Sequence, residues 1–152
     1  MIFIVLAMVL VGCSKNDINF IYNDDKKILS DINISELDVK EQSIKGEEFK
    51  AVINKIEGLD IIWTYEADKD MELDMKYLLN VTSGKVKLVL ISADNSVTTL
   101  IERSQKSELV DYATNVLQIK KGLNTIKIVA NDNASFEFNI KIPKGEFKEL
   151  SK

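Results

Sequence analysis

From Glu47 onward, apolar and polar residues alternate with a period of two, the spacing of a strand with one buried face. The segment MELDMKYLLNV shows it most clearly. Met71, Leu73, Met75, Tyr77, Leu79 and Val81 take every second position, with Glu72, Asp74, Lys76 and Asn80 between them, and only Leu78 interrupts the polar side. Thr82-Ser83-Gly84 reads as a turn into KVKLVLISA, and Asp94-Asn95-Ser96 as a turn into VTTLIER, which makes a three-stranded meander. VLQIK and LNTIKIVA, joined at Lys121-Gly122, read as a hairpin. Asn131-Asp132-Asn133 then leads to SFEFNIKI, which Pro143 ends, and FKAVINKI and IIWTY supply two more strands around Gly58. About eight short strands on short links, with no long helical period, predict an all-β domain over 47–150: an antiparallel β-sandwich, jelly-roll-like or immunoglobulin-like.

Upstream of that domain the pattern dissolves. Between Ser14 and Gly46 charged and small polar residues interrupt every apolar group, so the stretch 13–46 reads as a tether, with room for a short helix or strand around Ile28 to Leu37. A partner-binding arm built on Phe20, Ile21 and Tyr22 is the functional alternative. The first twelve residues, MIFIVLAMVLVG, carry no charge. A membrane core of roughly 30 Å takes about 20 apolar helical residues, so this run is too short to span it. It has the length of the apolar core of a secretory signal, and it stops abruptly at Cys13, ahead of Ser14-Lys15-Asn16-Asp17.

Leu10, Val11, Gly12 and Cys13 resemble the lipobox of bacterial lipoproteins: an aliphatic residue, a tolerant position, a small residue, then cysteine. The resemblance implies that 1–12 is a signal peptide, that Cys13 carries a diacylglycerol on its thiol and begins the mature protein, and that the chain sits on the extracytoplasmic face of the cell membrane. The run departs from the pattern in having no Lys or Arg ahead of its apolar core. Each buried lipid methylene contributes about 0.8 kcal/mol, so two or more long chains hold a domain firmly on a bilayer. The alternative is a free structural thiol at the end of a buried N-terminal element. The segment WTYEADKDMELDMKYLLNVTSGKVKLVLISADNSV, with KKGLNTIKIVAND later, resembles small lipoproteins of unknown function from low-GC Gram-positive bacteria. No catalytic motif comes with it.

Composition narrows the chemistry. The net charge is -4 with a pI near 5.0, and Arg103 is the only arginine, which argues against nucleic acid as a partner. With no histidine, Ser-His-Asp and Cys-His catalysis and His-ligated zinc are excluded within the chain. Cys13 stands alone, so no intrachain disulfide forms. No cofactor is called for. Carboxylate chemistry, Ser-Lys pairs and oxygen-ligand metals survive.

Against that background few residues stand out. Trp63 and Tyr65, two apart on one strand face, have the spacing of sugar-stacking aromatics and equally of core aromatics. Tyr112, in the polar stretch ERSQKSELVDYATN, is a more exposed candidate. Asp68 and Asp70, with Glu72 and Asp74, alternate like calcium ligands, but without the glycine and distant glutamate of an EF-hand loop; they are weak metal candidates, and a solvated strand face explains them as well. Ser83-Gly84-Lys85 shows no nucleophile geometry beyond a turn. Three readings follow: a non-catalytic, membrane-anchored envelope lipoprotein that contacts a protein or envelope component; a surface carbohydrate-binding module; and a carboxylate-dependent hydrolase.

Overall fold

A computed structural model describes residues 21–30, 32–108 and 111–152. The apolar run 1–12, Cys13 and Phe20 lie outside the described residues. The elements are α1 (Asp25–Ser30), β1 (Asn33–Lys45), β2 (Glu48–Ala67), β3 (Met71–Ile91), β4 (Val97–Ser104), β5 (Ala113–Ile119), β6 (Gly122–Lys141) and β7 (Glu146–Phe147). No helix among the described residues is long and apolar enough to cross a membrane.

Three strands of 20 or 21 residues, β2, β6 and β3, form the middle of an antiparallel sheet of order β1-β2-β6-β3-β4, with β5 added to β3 and β7 to β2. Each long strand bends once, and the bends are aligned. Pairing of β2 with β6 is irregular between Ile53 and Gly58, which meets Ala130. Pairing of β3 with β6 is irregular between Val81 and Lys85, which meets Asn131. The turns expected at Gly58, at Thr82-Ser83-Gly84 and at Asn131-Asp132-Asn133 are therefore one crease crossing three continuous strands.

The residues that mimic turns there are needed for a different reason. Gly58 and Gly84 have φ of +127° and +68°, and Asp132 and Asn133 also take positive φ. A Cβ on Gly58 would overlap the Asn33 carbonyl oxygen, and one on Gly84 would lie 2.5 Å from that of Asn131. The bulges also shift the alternation. β3 buries odd positions, Leu73 to Val81, before the crease and even positions, Val86, Leu88 and Leu90, after it, so one face of the strand stays inward throughout.

Folded at the crease, the sheet closes on itself as an antiparallel β-sandwich. The front layer holds β1, the first half of β2, the second half of β6, the first half of β3, and β5. The back layer holds β7, the other halves of β2, β6 and β3, and β4. Their inner faces share one apolar cluster, including Phe49, Met75, Phe136, Phe138, Leu88 and Ile128.

The join at Lys121-Gly122 is a crossover between layers, since β5 pairs with β3 and not with β6. The buried side chain of Asn124 replaces the missing ladder. Its Oδ1 accepts the Lys120 N–H at 3.1 Å, and its Nδ2 donates to the Lys120 and Gly122 carbonyls at 2.7 and 2.9 Å. The seven strands arise because three pairs of expected strands fuse, while β1 and β7 are added.

β1 and α1 correct the expected tether. Residues 33–45 pair with β2 from Asn33↔Leu59 to Lys45↔Glu48, placing Ile34, Leu37, Val39 and Ile44 against the core. Register shifts between Ile34 and Glu36 and at either side of Val39 break the period of two, which is why this stretch looks aperiodic. The domain therefore reaches upstream of Glu47, and α1 packs on the outer face of the back layer, where Tyr22 and Ile28 bury Leu59, Val89 and Val129.

Candidate functional site

The expected aromatic pair divides. Trp63 is 0% exposed and lies in the core, with its indole N–H donating to the Lys144 carbonyl at 2.9 Å. It offers no face to a ligand, which corrects its candidacy. Tyr65 is half-buried beside it, ring centroids 6.0 Å apart, and its hydroxyl contacts Met71 Sδ at 3.8 Å. Both face inward because the register shift between Ile61 and Trp63 turns the odd positions of β2, outward at Leu59, toward the core. Asp68 is exposed; Asp70 accepts the Lys121 N–H at 2.8 Å and lies 3.9 Å from Lys120 Nζ, so it braces the layer crossover. Among the described residues no group of three or more carboxylates, cysteines or histidines is placed to hold a metal.

Tyr112 has a different setting. It is 43% exposed, just ahead of β5, and lines a groove of about 430 Å³ on the outer face of the front layer. Cross-strand register builds the floor. Ser43, Lys50, Asn139 and Leu78 lie in one row across β1, β2, β6 and β3, and Glu41, Val52, Glu137 and Asn80 in the next. The β5 register pairs Tyr77 with Ala113, so the chain brings Tyr112 up beside Leu78. Leu78 and Val52 make the floor apolar in the middle. A second depression, lined by Asn54, Asn80, Thr82 and Ser135, continues from Val52 and Glu137.

Asn139 organises this floor. Its Nδ2 donates to the Tyr112 hydroxyl oxygen at 2.6 Å, and its amide also hydrogen-bonds the Glu48 carboxylate. The carbonyl Oδ1 is buried with no partner among the described residues, a state that costs about 1–3 kcal/mol. The Asn139 hydrogen bond, helped by Lys50 and Lys141 at 3.4 and 3.5 Å, holds the Glu48 carboxyl below the ordinary range against the upward push of partial burial. The Lys76 ammonium sits 4.9 Å from the Tyr112 ring centre and fixes its orientation. Sequence reasoning reached Tyr112 but missed Asn139, Lys50 and Val52. Leu78, the one apolar residue on the polar side of its strand, was the available signal.

A second polar cluster pins the N-terminal segment to the opposite side of the sandwich. Lys127 Nζ donates to the Ile28 and Leu29 carbonyls at 2.7 and 3.3 Å, capping α1. The Tyr22 hydroxyl donates to Glu102 at 2.9 Å, and Lys85 and Lys87 lie 4.5 and 4.7 Å from its ring centre. Burial raises the Tyr22 phenol and lowers the Lys87 ammonium. These groups hold the segment in place.

No family model matches the chain, and no curated protein matches it. Several solved structures are similar, among them CBM4 at 6% identity and TM-score 0.39, covering 74% of this chain and 78% of that one. Two variants of CBM29-2, from the family 29 carbohydrate-binding modules, match at 11% and 10% identity, each with TM-score 0.37 and 72% of this chain covered. The matches span 77% and 82% of those chains, and the second variant is complexed with mannohexaose. At these identities the likeness concerns the β-sandwich fold alone.

Proposed function

We propose that the chain is a non-catalytic lipoprotein of the cell envelope, anchored to the membrane through Cys13, that binds an envelope component through the groove at Tyr112 and Asn139. The observation that carries this reading is the placement of the two polar clusters on opposite outer faces. The N-terminal segment is fixed to the back layer from Ile21 onward. Seven residues lie between Cys13 and Ile21, so the chain reaches at most about 29 Å from one to the other. A lipid on Cys13 would hold the domain close to the bilayer with its back layer toward it and present the groove outward.

Catalysis finds little support in the same geometry. A carboxylate hydrolase needs a desolvated acid in a cleft. The two carboxylates lining the groove, Glu41 and Glu137, are exposed, and Glu137 accepts the Asn80 amide at 3.3 Å. Asp60, the buried carboxylate, is paired with Lys148 at 3.0 Å.

Metabolic labelling with a clickable palmitate analogue tests the anchor. Wild type is expected to carry the label and to fractionate with membranes, and Cys13→Ser to lose both. Label on neither protein would contradict the reading.

A further inference from the structure

We infer that the groove takes a neutral oligosaccharide, its rings stacked on Tyr112 and its hydroxyls bonded to Asn139. The assignment rests on the groove being the interaction site, as proposed above, and three features of the groove support it. The first is shape and surface. A channel of about 430 Å³ falls in the range of small-ligand sites, and it runs on into the depression at Asn54 and Thr82, so an extended chain fits better than a compact molecule. One wall is the exposed ring of Tyr112, held by Asn139 and Lys76, and the floor between is Leu78 and Val52. A pyranose ring, apolar on its C–H face and polar at its rim, matches that combination.

The second feature is the hydrogen-bond inventory. Asn139 is 6% exposed, its Nδ2 donates to the Tyr112 hydroxyl, and its carbonyl oxygen is a buried acceptor with no partner among the described residues. The Tyr112 hydroxyl, already accepting from Asn139, keeps its own hydrogen to donate. An adjacent acceptor and donor are what vicinal ring hydroxyls satisfy together.

Charge is the third. Glu48 is shared between Lys50 and Lys141, and around the groove the carboxylates of Glu41, Glu48 and Glu137 stand against the ammoniums of Lys50, Lys76 and Lys141. The charges balance, so no field of one sign is set up to draw in an acidic polymer or a phosphate. A neutral ligand suits such a surface best.

The full-length chain in detergent would be titrated calorimetrically with hexamers of glucose, xylose and N-acetylglucosamine, and with polygalacturonate as the anionic control. Binding of at least one neutral hexamer is expected, weakened about tenfold or more in Tyr112→Ala and less in Tyr112→Phe, which keeps the ring. Asn139→Ala should weaken it too, and the thermal midpoint of each variant verifies folding, with Tyr112→Ala, which leaves an Asn139 N–H unbonded, expected to melt somewhat lower than wild type and still cooperatively. Failure of every neutral hexamer to bind, unchanged binding in Tyr112→Ala, or equal binding of polygalacturonate would overturn the assignment. None of these outcomes alters the palmitate label on Cys13, so loss of the ligand assignment and loss of the anchor are read separately.

Discussion

The indole N–H of Trp63 donates to the backbone carbonyl of Lys144 at 2.9 Å, across 81 positions of sequence, and ties the back half of β2 to the link between β6 and β7. A buried tryptophan with its polar atom satisfied is a structural residue. Its fluorescence is expected to be blue-shifted and to resist acrylamide quenching. Trp63→Ala should cost about 3–5 kcal/mol in urea unfolding, the usual loss on emptying a core aromatic site. Ready quenching in the native state would return Trp63 to the surface and remove it from the core.

The crease makes a second prediction. Gly58→Ala and Gly84→Ala each place a Cβ against backbone at a positive φ, so no rotamer change relieves the overlap. Each is expected to lower stability by about 2 kcal/mol or more, with Gly46→Ala as a milder comparison, since a Cβ there meets nothing within 4 Å and only the positive φ is strained. Equal urea midpoints for all three would mean that the strands do not bend where the register shifts place the crease.

Lys127 gives a third. Its ammonium is buried and bonded to two carbonyls at the end of α1, and with Tyr22 it keeps residues 21–30 on the back layer. Lys127→Met is expected to expose that segment to limited proteolysis while the sheet stays resistant. Protection unchanged from wild type would show that the apolar contacts of Tyr22 and Ile28 suffice.

The acidity of Glu48 reports on the groove floor. A carboxyl whose folded pKa is depressed contributes stability above its ordinary pKa of about 4.3, and that contribution is lost as pH falls through the folded value. Carboxyl-carbon NMR is expected to show Glu48 titrating below the ordinary range, and Asn139→Ala to move it upward. Stability should accordingly fall more steeply in acid for wild type than for the variant. An ordinary Glu48 titration in wild type would disprove the Asn139 bridge.

Much of the fold is legible in the chain because alternation marks a half-buried strand wherever it runs uninterrupted, as in 71–81. What misleads is that the same residue types serve turns and bulges. Gly58, Gly84 and Asp132-Asn133 supply positive φ, and only the neighbouring strands, joined to them by long-range pairing, decide whether the chain reverses or merely bends. β1 is hidden by its own register shifts. The groove is less legible still. Tyr112 and Asn139 are 27 positions apart and meet Lys50 only through cross-strand register, and Asn139 becomes distinctive only when its bond to Tyr112 and its unpartnered carbonyl oxygen are known. Trp63 and Tyr65 misled because their spacing is the same whichever face of the strand is inward.

The direction in which the groove faces is the central claim, and cysteine accessibility tests it most directly. Glu137→Cys puts a thiol in the groove, and Lys26→Cys puts one on the back-layer face, the native thiol of Cys13 being blocked by its diacylglycerol in the lipoprotein reading. On intact protoplasts, a bulky membrane-impermeant maleimide is expected to label Glu137→Cys as fast as it does after detergent solubilisation, and Lys26→Cys more slowly than after solubilisation. Labelling of Glu137→Cys only after solubilisation would contradict the account, because the groove would then face the bilayer or the cell interior.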